Sequence, residues 1–324
     1  MGLFGSNQVV GIDLGYASIR VVGLSLGKKP SVSGCAEIPV DAKLLQKDAL
    51  EQPAEVAKAL KEALKSATPH AVKTKEAYVT VGESSVFRKI LEIPRNVKDS
   101  ELDAVVRSAI VEFLPDDLDN LELDYQPLAT PQDTEHQQMM VVAVSKKSIE
   151  QYLNLCELAG LTVRAIEPRP SALLRSAIGP KLREPIVVID VGSEISTLAL
   201  CADQSVWVAS AVTAGSNMLV DSATGQVDED KRAEKTKRLV GMLTDELDHV
   251  VKFYTNRASF SAAAVKEVRL CGKGSLIEGL DAALAAACDI KVTYAKPIVE
   301  LPSGFDRRYM GALGSALYPM YELL

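Results

Sequence analysis

VVGIDLGYASIRVV, residues 9–22, reads as a strand, a tight turn carrying an acid and a glycine, and a second strand. IVVIDVGSEISTLAL, residues 186–200, repeats that grammar, with Ile-Asp-Leu-Gly in the first copy becoming Ile-Asp-Val-Gly in the second. Asp13 corresponds to Asp190 and Gly15 to Gly192, each pair 177 positions apart (190 − 13 and 192 − 15). Two related halves, each opened by such a hairpin, are therefore predicted.

The chemistry open to such a hairpin follows from its backbone. A glycine at the turn lets main-chain N–H groups converge on one spot with no Cβ in the way, and those donors suit phosphate oxygens. The neighbouring carboxylate repels phosphate but can hold a hydrated Mg2+, which keeps most of its waters and takes one or two carboxylates plus phosphate oxygens. Either hairpin alone is a common pattern in which glycine answers a steric need. The pair, at equivalent depth in two half-chains, favours a nucleoside triphosphate and its metal clamped between two lobes.

The chain has 324 residues, long enough for two lobes of about 150 residues each. Hydrophobic residues make up 47% and charged residues 24%, an ordinary soluble composition. A net charge of −7 with no large basic patch speaks against nucleic acid as a partner. Five scattered cysteines without a CxxC pair read as reduced, buried thiols of a cytosolic protein. Three histidines far apart in sequence disfavour a histidine metal site. No apolar run approaches the roughly 20 residues of a membrane span, and no secretory signal is present. Met1-Gly2-Leu3-Phe4-Gly5-Ser6 fits the myristoylation pattern. It reads as a chance match, with Leu3 and Phe4 as a weak surface anchor.

Outward from the first hairpin, residues 31–40 continue as a third strand. Residues 49–67 carry Val56, Leu60 and Leu64 at helical spacing, and residues 76–82 form a strand. A self-contained α+β module is predicted over 84–168. In it, Ser100 caps a helix ended by Pro115, two strands follow, and a helix over 147–159 buries Ile149, Tyr152, Leu153 and Cys156, with Gly160 as its C′ residue. A strand precedes Ala214-Gly215-Ser216-Asn217, and residues 221–230 read as exposed. A long helix over 235–256 and the strand-turn segment EVRLCGKGSLIEG, 267–279, complete the second half. That last turn lacks the three-glycine spacing of a dinucleotide fingerprint.

The ordered set IDLG (12–15), the inserted module, IDVG (189–192), AGSN (214–217), CGKGS (271–275) and RYMGALGSAL (308–317) resembles the actin-like ATPase fold. Within it, LDAVVRSAIVEFLPDDLDNLELDY (102–125) and ELDHVVKFYTN (246–256) resemble the branch that holds the division protein FtsA and the type IV pilus assembly protein PilM, the PilM family being the nearer. The resemblance implies an α/β, two-lobed actin-like ATPase fold with an inserted α+β (SHS2-like) subdomain: 1–83 as the first lobe, 84–168 as the insert, and 169–324 as the second lobe with its C-terminal helix returning to the first. It implies ATP and Mg2+ as ligands. Gly15, Tyr16, Ala17, Ser18 and Arg20 would form the first phosphate loop, and Asp190, Gly192 and Ser193 the second. Gly272, Gly274 and Ser275 would meet the adenosine, Gly215 and Asn217 would belong to the same nucleotide site, and Asp13 with Asp190 would hold the Mg2+ shell. Glu167 matches the acidic connector from which a water is oriented. Tyr16-Ala17 in place of small hydroxyl residues, Ala214-Gly215 in place of Gly-Gly, and a short segment after Asn217 imply weak or absent hydrolysis.

Three functions compete. The leading one is a cytoplasmic adaptor of a type IV pilus-like assembly platform, peripheral to the inner membrane. In it the cleft between the first lobe and the insert grips the N-terminal cytoplasmic segment of a PilN-like membrane protein, with self-association open. An extended peptide in such a groove gains main-chain hydrogen bonds and side-chain pockets. The second, an FtsA-like division protein, requires a membrane-targeting tail, whereas this chain stops at Leu324, ten residues past Gly314. The third, a sugar kinase of the same superfold, requires a base and an acceptor motif that do not stand out.

Overall fold

A computed structural model describes residues 8–45, 52–129, 135–180, 182, 184–220, 231–257 and 263–321. The N-terminal anchor pattern at 1–6 and the acidic stretch at 221–230 lie outside the described residues. The first hairpin forms as β1 (Gln8–Leu14) and β2 (Ser18–Ser25), both almost wholly buried because alternate β-branched residues meet packing on each face. β3 (Ser31–Pro39) pairs antiparallel with β2. Helix α1 (Pro53–Ser66) has proline in its first turn and buries Val56, Leu60 and Leu64 on the sheet. The two-residue β4 (Thr68–Pro69) joins the β3 edge, and β5 (Glu76–Val81) runs parallel to β1 on its other side.

The inserted module is built from β6 (Phe87–Pro94), α2 (Asp99–Ile110), β7 (Leu121–Pro127) and β8 (His136–Ser145), its sheet ordered β6-β8-β7. Val106 and Ile110 of α2 close a small core with Leu91, Ile93, Met139 and Val141. Ser100 lies inside the first turn and makes no cap, since Asp99 and Glu101 already favour helix at the positive end of the dipole one residue earlier. The predicted extent of the module needs correction. Helix α3 (Lys146–Ala159) and β9 (Thr162–Pro168) pack on the first lobe: Leu155 and Cys156 join the α1 core, and β9 pairs parallel with β5. Leu155, not the half-exposed Leu153, faces that core. Gly160 closes α3 at φ +82°, donating to the carbonyls of Cys156 and Glu157.

The second lobe opens with α4 (Arg169–Leu173), continued by a π turn at Leu174–Ile178. It then repeats the first lobe with β10 (Ile186–Asp190), β11 (Ser196–Ala202), β12 (Ser205–Val212), α5 (Arg232–Arg257), β13 (Glu267–Cys271), α6 (Leu280–Ala287) and β14 (Lys291–Tyr294). Its sheet runs β12-β11-β10-β13-β14, matching β3-β2-β1-β5-β9 strand for strand. The registers match too. Asp13 faces Arg20 across the first hairpin and Asp190 faces Thr197 across the second, so the offset of 177 positions carries one pair onto the other. After β14 the chain crosses back. Helix α7 (Met310–Ala316), made of Gly, Ala, Ser, Leu and Met, packs on β1 through Ala312, Leu313 and Ala316, and α8 (Tyr318–Tyr321) follows it. Among the described residues, no helix is long and apolar enough to cross a membrane.

Candidate functional site

The turns of the two hairpins border one cleft of about 190 Å3. Gly15, Tyr16 and Arg20 line it from the first lobe, Asp190, Gly192, Ser193 and Thr197 from the second, and Ser84, Ser85 and Arg169 from the connections. The first turn is closed by its own Gly15 N–H, which donates to the Ser18 carbonyl at 2.8 Å. Ala17 accepts from the Val40 N–H at 3.0 Å, and Glu37 takes the Ser18 hydroxyl. Ala17 and Ser18 are thus spent on the turn and do not line the cleft. In the second turn Gly192 is required sterically: a Cβ there would meet the Ile195 carbonyl oxygen at 2.2 Å.

Behind the second turn lies a larger cavity of about 640 Å3, lined by Ser216, Asn217, Leu219, Val220, Lys273, Leu276, Ile277 and Arg308 among others. The two spaces share a wall. The Ser216 and Asn217 N–H groups donate to Gly192 and Ser193 at 2.9 and 2.8 Å, and the Asn217 amide donates to Glu194 at 2.6 Å. Gly215 allows that approach, since a Cβ would meet the Ser193 oxygen at 2.3 Å. The CGKGS turn packs the hairpin rather than facing the space through its glycines. A Cβ on Gly272 would strike Asp190 Oδ1 at 2.2 Å, one on Gly274 would strike the Val191 side chain at 2.2 Å, and the fully buried Ser275 donates to the Gly272 carbonyl. Lys273, between those glycines, is the residue that lines the cavity. Lys273 and Arg308 lie inside the CGKGS and RYMGALGSAL motifs, whose glycines carry the sequence signal and the side chains beside them none.

Both aspartates are buried, and their partners are arginines. Asp13 is 1% exposed. Its Oδ1 accepts from Arg169 Nε and Thr80 Oγ1, both at 2.8 Å, and its Oδ2 from Arg20 Nη1 at 3.2 Å. Arg169 also donates to the Leu14 carbonyl at 2.8 Å, and its Nη1 stands 3.9 Å from Asp190 Oδ2. Burial works to raise the Asp13 carboxyl, but Arg169, Arg20 and the Thr80 hydroxyl together hold it below its ordinary value. Asp190 goes the other way, raised by burial and by Asp13 against the pull of Arg169. Arg169, two residues past Glu167 in the connector EPRPSA, carries no sequence signal of its own, since a lone arginine at a helix start is an ordinary surface residue.

This arrangement corrects the Mg2+ expectation. Mg2+ demands octahedral oxygen ligands at about 2.0–2.1 Å, whereas both oxygens of Asp13 are taken and a guanidinium fills the space toward Asp190. The residues present do not fit a divalent cation there. Among the described residues, no group of three or more His, Cys, Asp or Glu side chains is placed to hold a metal.

Glu167 is also placed otherwise than the resemblance implies. It is buried outside the lining of the cleft and paired with Arg175, whose Nε donates to the Gly314 carbonyl at 3.0 Å and whose guanidinium lies under the rings of Tyr318 and Tyr321. Burial pushes its carboxyl up to about 7 against the attraction of Arg175. A carboxylate so held is part of the α7 packing and has no path to orient a water in the cleft. A space of about 460 Å3 opens between β6 and β8 of the module and the second lobe, walled by Ile90, Met140, Trp207, Phe253, Lys89 and Arg257 among others.

The chain matches the family of the type IV pilus assembly protein PilM over residues 11–310. Its fold is similar to that of a PilM–PilN type IV pilus biogenesis complex, with TM-score 0.80, 22% identity, and 96% of this chain and 98% of that one covered. It is similar at TM-score 0.56 to the ethanolamine utilization protein EutJ from Carboxydothermus hydrogenoformans, with 13% identity and coverage of 98% and 92%. It is similar at TM-score 0.52 to MreB 5 of Spiroplasma citri bound to AMPPNP, with 11% identity and 98% of each chain covered. Among curated proteins none matches. These likenesses show the two-lobed actin-like fold.

Proposed function

This chain belongs to the type IV pilus assembly protein PilM family, and from that premise we propose that it is the adaptor of a pilus assembly platform, holding the N-terminal cytoplasmic segment of a PilN-like inner-membrane protein while a nucleotide sets the geometry of its lobes. The observation that carries the reading is the likeness, over 96% of the chain, to a complex in which the relative is assembled with PilN. A peptide gripped by a two-lobed body couples lobe angle to partner affinity, because each ligand shifts the other's equilibrium by the same factor. The protein works in the cytoplasm and reaches the membrane through that partner. The FtsA-like and sugar-kinase readings have no observation in their favour here.

In this reading ATP lies across the wall between the two spaces. Its phosphates face the Gly192-Ser193 turn, Arg20 and Arg169, and its base and ribose enter the larger cavity between Asn217, Leu276 and Lys273. Support comes from the mirrored hairpins and from the nucleotide carried by one neighbour of the same fold. Hydrolysis is not part of the proposal, since Glu167 is committed to Arg175.

The test is titration of the purified chain with a synthetic N-terminal segment of a PilN-like protein from the same organism, with and without ATP. Saturable binding at one segment per chain, altered by ATP, is the expected result. Lack of binding in both arms overturns the adaptor reading.

A further inference from the structure

Each acid that the sequence assigns to a cation is answered from within the chain. Arg169 reaches across from the start of α4, bonds Asp13 and the Leu14 carbonyl, and directs its remaining Nη1 toward Asp190 at 3.9 Å, beyond hydrogen-bond range. Arg20, on β2, divides Nη1 and Nε between Asp13 and Glu37, and neither bond uses its Nη2. Both residues are at least nine-tenths buried and both line the cleft between the hairpin turns.

The two guanidinium groups match the charge of Asp13 and Asp190, the balance that a bound dication would give the same two acids, while Arg20 also answers Glu37 from behind. A guanidinium also presents N–H donors in a planar fork that matches phosphate oxygens. We propose that this cleft takes the polyphosphate of a nucleotide without a divalent cation, the free edges of Arg169 and Arg20 supplying the positive charge that a metal would otherwise bring. Ser193 and the Gly192 turn close the cleft from the second lobe, so the phosphates are met from both sides. The inference rests on the nucleotide reading above and deepens it.

The test measures ATP affinity of the whole chain by calorimetry in EDTA and again in excess Mg2+. Affinity in EDTA equal to or better than that in Mg2+, within about twofold, is expected. Affinity at least about tenfold weaker in EDTA overturns the inference and leaves the nucleotide reading standing. Absence of binding in both arms overturns both. Arg169→Ala provides the second arm. Its freed acids should now take the metal, so millimolar Mg2+ alone should raise its melting temperature while leaving wild type unmoved, and its ATP affinity in EDTA should fall at least about tenfold. Unchanged affinity of that variant in EDTA overturns the role of Arg169. If the variant fails to fold, the wild-type comparison between EDTA and Mg2+ decides alone.

Discussion

Gly11 of β1 lies directly beneath Ala312 of α7, so close that a Cβ on Gly11 would meet the Ala312 carbonyl oxygen at 1.8 Å. Gly314 makes the same approach to Ala172 of α4, where an added Cβ would lie 1.9 Å from the carbonyl oxygen. The two contacts seat α7 against the first lobe and the head of the second, so backbone rather than side chain forms the joint. Gly11→Ala has no flexible group to displace and should cost about 3 kcal/mol or more in urea unfolding. Gly241→Ala is the contrast. It lies within α5, where an added Cβ meets no atom within 4 Å, and should stabilise by roughly 0.5–1 kcal/mol through helix propensity and a less free unfolded chain. A similar loss in both variants would mean that α7 does not press on β1 as described.

Removing Asp13 should be far more costly than removing a surface acid. Asp13→Ala leaves Arg20 and Arg169 buried without their shared partner, at about 3–5 kcal/mol. The pH dependence carries a sign. The folded carboxyl is held below the 3.8 of the unfolded chain, so its contribution is present above that value and is lost as pH falls through the folded value. Wild type should therefore lose stability steeply below about pH 4, and the variant less steeply. Parallel acid limbs for the two proteins, followed by tryptophan fluorescence of the buried Trp207, would remove Asp13 from the balance.

The repeat was legible because it is written in backbone requirements. An acid, a glycine and β-branched flanks at one offset specify two hairpins, and the registers Asp13–Arg20 and Asp190–Thr197 follow from the same pattern. The extent of the insert was not, because Leu155 and Cys156 look equally apolar whether α3 faces the module or α1, and only the tertiary pairing of β9 with β5 decides. Nor was the fate of the acids. Sequence shows that Asp13 and Asp190 are equivalent, but Arg169 and Arg20, 156 and seven residues from Asp13, reach its carboxylate through the fold.

Glu167 gives an opposite pH dependence. Its folded carboxyl stands at about 7, above the ordinary 4.5, because burial outweighs Arg175. The folded state holds this proton more tightly than the unfolded one, so the stabilising contribution is complete below about 4.5 and fades as pH rises through about 7, amounting to roughly 3 kcal/mol. Glu167→Gln keeps the shape and cannot ionise. Its unfolding free energy should stay flat between pH 4.5 and 7.5 relative to wild type, which should decline. A wild-type profile that runs parallel to the variant over that window would mean the carboxylate stays ionised in its pair with Arg175.

Phe253 tests where the partner segment sits. It lies on the solvent side of α5, 44% exposed, at the wall of the groove between the inserted module and the second lobe, with Ile90, Met140 and Trp207 as apolar floor and Lys89 and Arg257 at the rim. An apolar anchor of an extended segment would bury that ring, and truncating a central aromatic contact of this kind costs at least about 1–2 kcal/mol of binding. Phe253→Ala should then weaken capture of the PilN-like segment roughly tenfold. Because the ring is half in solvent and its neighbour Tyr254 carries the packing against Trp207 at 5.4 Å, the melting temperature should stay within a degree or so of wild type. Unchanged affinity in Phe253→Ala would move the segment to the opposite side of the module, against the first lobe, where sequence reasoning first put it.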